Sequence, residues 1–122
     1  MKLKRIISEN INSWAKFIEN KYNLKCFLID VYRDDIVLTS IIINKDDRGK
    51  GIGSKVMDEL CNYADANNKR VRLTPAQKDD YQGTTSQSRL IEFYKRFGFV
   101  MNKGRNKDFS ISELMYRDPK WN

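Results

Sequence analysis

The hydrophobic period changes several times along the chain, and each change marks an element. Over residues 8–22 the apolar positions Ile11, Trp14, Ala15, Ile18 and Tyr22, with Ile7 just ahead of them, recur three and four apart and share one face of a helix. Residues 24–32 (LKCFLIDVY) and 36–43 (IVLTSIII) are β-branched and aromatic runs. The short polar stretch Arg33-Asp34-Asp35 between them predicts an antiparallel hairpin. The second run is nearly all apolar, as in a strand covered on both faces. A glycine-rich segment follows, and then Ile52, Val56, Leu60 and Ala64 repeat every four residues beside Met57 and Cys61 until Asn67-Asn68 ends the helix. Val71-Arg72-Leu73-Thr74 is a short strand stopped by Pro75, and residues 76–86 are a polar loop whose Ser86, or a neighbouring Thr, can cap the next helix. Leu90, Phe93, Tyr94 and Phe97 are that helix's apolar stripe, and Gly98 suits its C-terminal cap. The remainder predicts a strand, a turn around Lys103-Gly104-Arg105-Asn106, and a last strand on which Phe109, Ile111 and Met115 alternate. The order is helix, strand, strand, glycine loop, helix, strand, helix, strand, strand, which makes an α/β (or α+β) fold with one sheet and packed helices. No internal repeat or low-complexity stretch interrupts it.

At 122 residues the chain has room for one domain, residues 1–122. Forty per cent hydrophobic residues, with six Phe, six Tyr and two Trp, can build a core at this length, and the few glycines and prolines argue against disorder. The 23 Lys and Arg outnumber 16 Asp and Glu, a net charge of +7 with no histidine, so the expected partner is anionic. Cys26 and Cys61 lie in apolar segments, and without histidine or further cysteines no zinc set exists; both are expected to be core residues. The start, MKLKRIISENINSW, lacks an apolar run of signal-peptide length and no stretch approaches 18 apolar residues. A cytoplasmic protein without a membrane partner is expected.

The candidate chemistry lies in the glycine loop. Asn44-Lys45-Asp46-Asp47-Arg48-Gly49-Lys50-Gly51-Ile52-Gly53-Ser54 joins a strong strand to a strong helix. A helix N-terminus offers unpaired N–H groups and a positive dipole end, and glycines let an anion approach the backbone. Arg48 and Lys50 add charge. A Walker loop needs Lys-Ser/Thr after its last glycine, and Ser54-Lys55 has the reverse order. A dinucleotide fingerprint needs G-x-G-x-x-G, whereas Gly49, Gly51 and Gly53 run G-x-G-x-G.

The loop does resemble the acyl-CoA loop of the GNAT superfamily of N-acetyltransferases, Arg/Gln-x-x-Gly-x-Gly/Ala, matched by Arg48, Gly51 and Gly53. The family's second motif, Leu-Tyr-x-x-x-Gly-Phe, is similar to Phe93-Tyr94-Lys95-Arg96-Phe97-Gly98-Phe99, and the resemblance covers about residues 24–117. It implies a central mixed, mostly antiparallel sheet with helices on both faces; the N-terminus departs from the family in being abbreviated to one helix where a strand and two helices are usual. It implies acetyl-CoA as donor substrate. The strand end Ile41, Ile42, Ile43, Asn44 and Lys45 would pair with the pantetheine. Arg48, Gly49, Lys50, Gly51, Ile52, Gly53 and Ser54 would hold the pyrophosphate. Gln87 stands where the family often has a cofactor-contacting Asn, seven before the Tyr. Tyr94 is the implied catalytic acid that protonates the departing thiolate. The Glu that often serves the family as base is missing from the strand before the loop; Asp30, Asp46, Asp47, Glu113 or a water relay remain. The acceptor is an amine, of a protein lysine, an N-terminus or a small molecule; the open acceptor side and the +7 charge suit an acidic protein. The run Lys95, Arg96, Lys103, Arg105 and Lys107 could steer such a partner or grip the adenosine 3′-phosphate, and Lys2, Lys4 and Arg5 form a smaller cluster. Residues 81–85 lie on the loop where this fold commonly meets its acceptor. The alternative is a catalytically idle module of the same fold that binds CoA, or an acidic or nucleic-acid partner through its basic face; nucleic acid is the lesser expectation, since there is no helix-turn-helix and the aromatics fall on predicted core stripes. Monomer and homodimer are both open. The whole chain, especially NKGRNKDFSISELMYR, is similar to small acetyltransferase-like proteins of phages and prophages.

Overall fold

A computed structural model describes residues 2–76 and 86–120, with side chains from Ile11 onward. Helix α1 spans Lys2–Lys21, starting earlier than the apolar period requires. Strands β1 (Cys26–Tyr32) and β2 (Asp35–Ile42) form the expected hairpin. Arg33 and Asp34, at φ 51° and 71°, make its turn, since two left-handed residues match the twist of the flanking strands. Helix α2 (Ile52–Ala66), strand β3 (Val71–Leu73), helix α3 (Gln87–Lys95) and strands β4 (Val100–Met101) and β5 (Met115–Arg117) complete the order. The Ser86 hydroxyl accepts from the Arg89 N–H, as an N-cap does.

The sheet runs β1-β2-β3-β5-β4, with β2 and β3 parallel and every other pair antiparallel. This is the expected mixed, mostly antiparallel sheet. Strand alternation puts Phe27, Ile29, Ile36, Leu38, Val71, Leu73 and Met115 on one face, all buried. All three helices reach that face. Trp14 of α1 stacks on Tyr63 of α2 with centroids 4.4 Å apart and meets Phe27 edge-on. Tyr94 of α3 packs edge-on to Phe99, which together with the α2 residues Val56, Met57 and Leu60 belongs to the same core.

The expectation of helices on both faces is therefore corrected for the described residues. The other face leaves Leu28 and Tyr32 more than half exposed, and its buried members are Arg72 and Tyr116. A long loop rather than a helix covers them: Glu113 accepts from Arg72, and the Tyr116 hydroxyl donates to the Asn106 carbonyl. A second correction concerns the last strand. It begins only at Met115, and Phe109, expected to alternate into the core, is 88% exposed. The cause is the loop's polar anchoring. Asn102, buried, donates to the Ile111 and Glu113 carbonyls and accepts from the Asp108 N–H, so residues 102–113 close on themselves instead of extending.

Two buried arginines tie the layers together. Arg117 gives two bonds to Asp65 of α2, at 2.8 and 3.0 Å, and one at 2.7 Å to the Phe97 carbonyl just after α3. Arg72 bonds Asp35, Glu113 and the Tyr32 carbonyl, each at 3.0 Å. Every donor of these guanidiniums that points inward finds an acceptor, which is what makes burying a charge tolerable.

Candidate active site

The parallel strands β2 and β3 stay together for three residues only, Ile36–Leu38 against Val71–Leu73. Beyond Leu38, β2 continues to Ile42 paired with β1 alone. Pro75 cannot donate to a ladder, and Thr74 turns its hydroxyl to accept from the Leu114 N–H, so β3 ends there. A parting of strands results, with one edge of residues 39–43 free of β3. Ile41 and Ile42 are the end of β2, and Ile43, Asn44 and Lys45 lead out of it. Sequence-assigned pantetheine residues thus flank an open strand edge.

The chain then makes one 3₁₀ turn at Lys45–Asp47 and swings into α2. Two glycines in this loop adopt left-handed backbone, Gly49 at φ 80° and Gly51, the residue capping α2, at φ 75°. No side chain caps α2, so the N–H groups of Ile52, Gly53 and Ser54 face outward from its first turn without intrahelical partners. A Cβ at either Gly49 or Gly51 would meet nothing within 4 Å. Gly53 differs. A Cβ there would lie 3.4 Å from Ile43 Cδ1 and 3.6 Å from Phe93 Cζ, which places the strand end, the start of α2 and the aromatic stripe of α3 against one another.

Arg48 donates through Nε to the Ile43 carbonyl at 3.3 Å, holding the loop to the strand end. Lys50 is exposed and 3.4 Å from Asp47. Beside the loop lies a polar cavity of about 630 Å³ lined by Asn23, Lys25 and residues 44–48. Asn44 closes its wall by donating to the Asn23 carbonyl. A helix start without a side-chain cap offers its N–H groups to an anion, and the cavity beside it carries Lys25, Lys45 and Arg48 together with Asp46 and Asp47.

Tyr94 is buried on α3 between Phe93 and Phe99, with centroids 5.3 and 5.8 Å away. Burial pushes its phenol up to about 12. Among the described residues no hydrogen bond reaches its hydroxyl. Gln87, at the first turn of α3, donates to the Pro75 carbonyl and so ties α3 to the end of β3. Arg96 places its guanidinium 5.3 Å over Phe93, beside the same cluster.

The rest of the basic run is elsewhere. Lys103, Arg105 and Lys107 belong to the loop between β4 and β5, which the Asp108–Arg70 pair and the bond from Tyr116 to the Asn106 carbonyl lay over the sheet face that carries Arg72 and Tyr116, away from the helices. Nor do the carboxylates converge. Glu113 and Asp35 are committed to Arg72, Asp47 faces Lys50, and Asp30 and Asp46 are exposed. Residues 81–85 and the side chains of Lys2, Lys4 and Arg5 lie outside what is described. Cys61 is buried and Cys26 half-buried, both as free thiols. Among the described residues no group of metal-ligating side chains gathers and no helix is long and apolar enough to cross a membrane.

Sequence reasoning missed Arg72, Arg117 and Asn102. An arginine in the middle of Val-Arg-Leu and another ending Met-Tyr-Arg were the available signals, because a charge inside a strand that is otherwise apolar demands a partner.

The fold is similar to the anti-CRISPR protein AcrVA5, with a TM-score of 0.55 and 23% identity over 74% of this chain and 85% of that one. Ard1 from Thermoplasma volcanium is similar with a TM-score of 0.53 and 23% identity, over 78% of this chain and 62% of its own. No curated protein matches in sequence. Residues 16–101, which include the glycine loop, the parted strands and the Tyr94 helix, match the model of the acetyltransferase (GNAT) domain, and the chain belongs to that family.

Proposed function

We propose that this protein transfers an acetyl group from acetyl-CoA directly to an amine. The observation that carries the reading is the convergence at Gly53 of the free edge of β2, the start of α2 and the α3 aromatic stripe. In this reading the amides from Gly49 to Ser54, with Arg48 and Lys50, take the pyrophosphate, and the edge at Ile41 to Lys45 takes the pantetheine. Gln87 positions α3 over the opening through its bond to Pro75. The amine nitrogen attacks the thioester carbonyl, the new C–N bond forms as C–S breaks, and the thiolate takes the Tyr94 phenolic proton while the amine proton passes to water. With its phenol raised to about 12, Tyr94 enters the reaction protonated at any ordinary pH, as an acid must. Since none of Asp30, Asp46, Asp47 and Glu113 converges on the site among the described residues, the reading takes a water relay as the base.

The acceptor we favour is a lysine or N-terminus of an acidic protein, met in the cytoplasm, because net charge +7 attracts such partners. A phage or prophage setting belongs to the same proposal.

The first test is calorimetric titration with acetyl-CoA, followed by a thiol-release assay with amine and lysine-peptide acceptors. Saturable one-site binding weakened at least tenfold by Arg48→Ala, together with acceptor-dependent thiol release, supports the reading. Absence of binding overturns it. For Tyr94, the expected outcome of Tyr94→Phe is a fall in kcat of about 10²-fold with KM for acetyl-CoA nearly unchanged, the range for general acid catalysis; full turnover at all pH values removes it from the acid role.

A further inference from the structure

The loop between β4 and β5 is built with unusual care for a segment outside the acetyl-transfer site. Asn102 is spent on its carbonyls and on the Asp108 N–H, and Tyr116 donates to the Asn106 carbonyl. Asp108 accepts from the Ser110 N–H and hydroxyl and from Arg70. These bonds turn Asp108 inward, and the loop's other acid, Glu113, is held by Arg72. The outward side chains are Lys103, Arg105, Lys107 and Phe109, all exposed, and among the described residues none of the three cations forms an ion pair. Phe109 is 88% exposed, with the Lys107 ammonium 5.4 Å from its ring centroid. The same open face of the sheet carries a second pair of this kind. Tyr32 is 54% exposed under Arg33, and its other neighbour Arg72 holds Glu113 of the same loop. Asp35 and Glu113 are paired with Arg72 there, Asp108 and the exposed Asp118 share Arg70, and Asp30 is exposed.

A preorganised loop of one sign attracts an anionic partner, and its exposed aromatics decide which one. A protein partner would need a pocket for the projecting ring and a membrane a broader apolar face than this one Phe, whereas a base can lie on the bare ring face with no pocket. Bases are free to lie on a ring only when they are unstacked from their own duplex. We propose that Lys103, Arg105, Lys107 and Phe109, with Tyr32 and Arg33 beside them, form a binding surface for single-stranded nucleic acid. The phosphates lie along the cations, and a base stacks on Phe109. The surface is separate from the glycine loop and does not rest on the acetyl-transfer reading.

The test is fluorescence anisotropy of a labelled oligothymidylate of about 12 nucleotides, within the usual site size of such surfaces. It is run with saturating acetyl-CoA present, so that occupation of the glycine loop by the probe does not register. Three phosphate contacts on a single strand give a log–log salt slope of about −2, or roughly a 20-fold loss of affinity from 50 to 200 mM salt. Phe109→Ala should weaken binding about tenfold, the scale of one stacked base, without moving the melting temperature, because the ring contributes nothing to the core. Replacing Lys103, Arg105 and Lys107 together by Ala should flatten the slope. The proposal is overturned by no saturable binding at 50 mM salt, by Phe109→Ala binding like the parent, or by polyglutamate or anionic vesicles displacing the oligonucleotide as well as unlabelled oligothymidylate does; the last result would point to an acidic partner or a membrane.

Discussion

Two glycines of the loop, Gly51 and Gly53, sit two residues apart in one motif, and alanine should affect them in opposite ways. Gly51 caps α2 at φ 75°, ψ 14°, so an alanine there meets no atom within 4 Å and is still strained by its own backbone. The left-handed conformation costs a residue with a Cβ roughly 1–2 kcal/mol. For a domain of this size that lowers the melting temperature by about 4–8 °C. Any relief of the strain tilts the first turn of α2 and moves the N–H groups of Ile52 and Gly53, so acetyl-CoA binding should fall together with stability. Gly53 is helical, and its added Cβ would stand 3.4 Å from Ile43 and 3.6 Å from Phe93, ordinary contact distances. Alanine inside a helix gains up to about 1 kcal/mol over glycine. Gly53→Ala should therefore hold or raise the melting temperature and keep the acetyl-CoA Kd within about threefold. Gly53→Val should lose both, since its extra methyl groups would overlap Ile43 or Phe93. Thermal unfolding by circular dichroism and calorimetric titration on the three variants suffice. A Gly51→Ala protein that melts and binds like the parent would refute the strain argument, and a Gly53→Ala protein that folds normally but binds more than tenfold worse would refute the claim that this position faces the strand and α3 rather than the phosphates.

Other expectations concern the groups that hold the layers together. Asp65→Asn leaves Arg117 buried without its anion and should cost about 3 kcal/mol, at the low end for a buried pair because Asp65 keeps some solvent contact; chemical denaturation at pH 7 reads it, and a loss below 1 kcal/mol would sink the idea that this pair pins α2 to β5. The hydrogen bonds from Arg117 hold the Asp65 carboxyl below its usual range, so its contribution is present above about pH 4 and is lost as pH falls from there through the folded value. The penalty of Asp65→Asn should accordingly shrink in acid, and a penalty unchanged at pH 3 in a still-folded protein would contradict the assignment. Burial pushes the Cys61 thiol up to about 11, so a disulfide reagent at pH 8 should label the half-buried Cys26 well before Cys61; equal rates would show that α2 opens readily.

The sequence determined whatever depends on local period and local backbone chemistry. The face of α1 through Ile11, Ala15 and Ile18, the face of α2 through Val56, Leu60 and Ala64, and the hairpin around Arg33-Asp34 are repeats that solvent exclusion reads directly. The Ser86 cap and the glycines of the phosphate-type loop follow from φ and donor count, which belong to single residues. The tertiary structure decided what depends on partners distant in the chain. Residues 108–114 alternate like a strand, and the buried amide of Asn102 with the Arg70–Asp108 pair holds them in a loop because satisfying those polar groups outweighs burying Phe109. That one choice exposes an aromatic the period assigns to the core, and it lays Lys103, Arg105 and Lys107 on the sheet face that carries Arg72 and Tyr116, whereas Arg96 follows α3 on the helix-covered face. The parting of β2 from β3 after Leu38 is likewise absent from either strand's own pattern, because it needs Pro75 and Thr74 on one strand to withhold pairing from an apolar run on the other. Periodicity reports which side of an element meets the core. Where the chain's charges and open strand edges gather is set by hydrogen bonds between residues 37 to 52 positions apart, and only the folded chain brings those together.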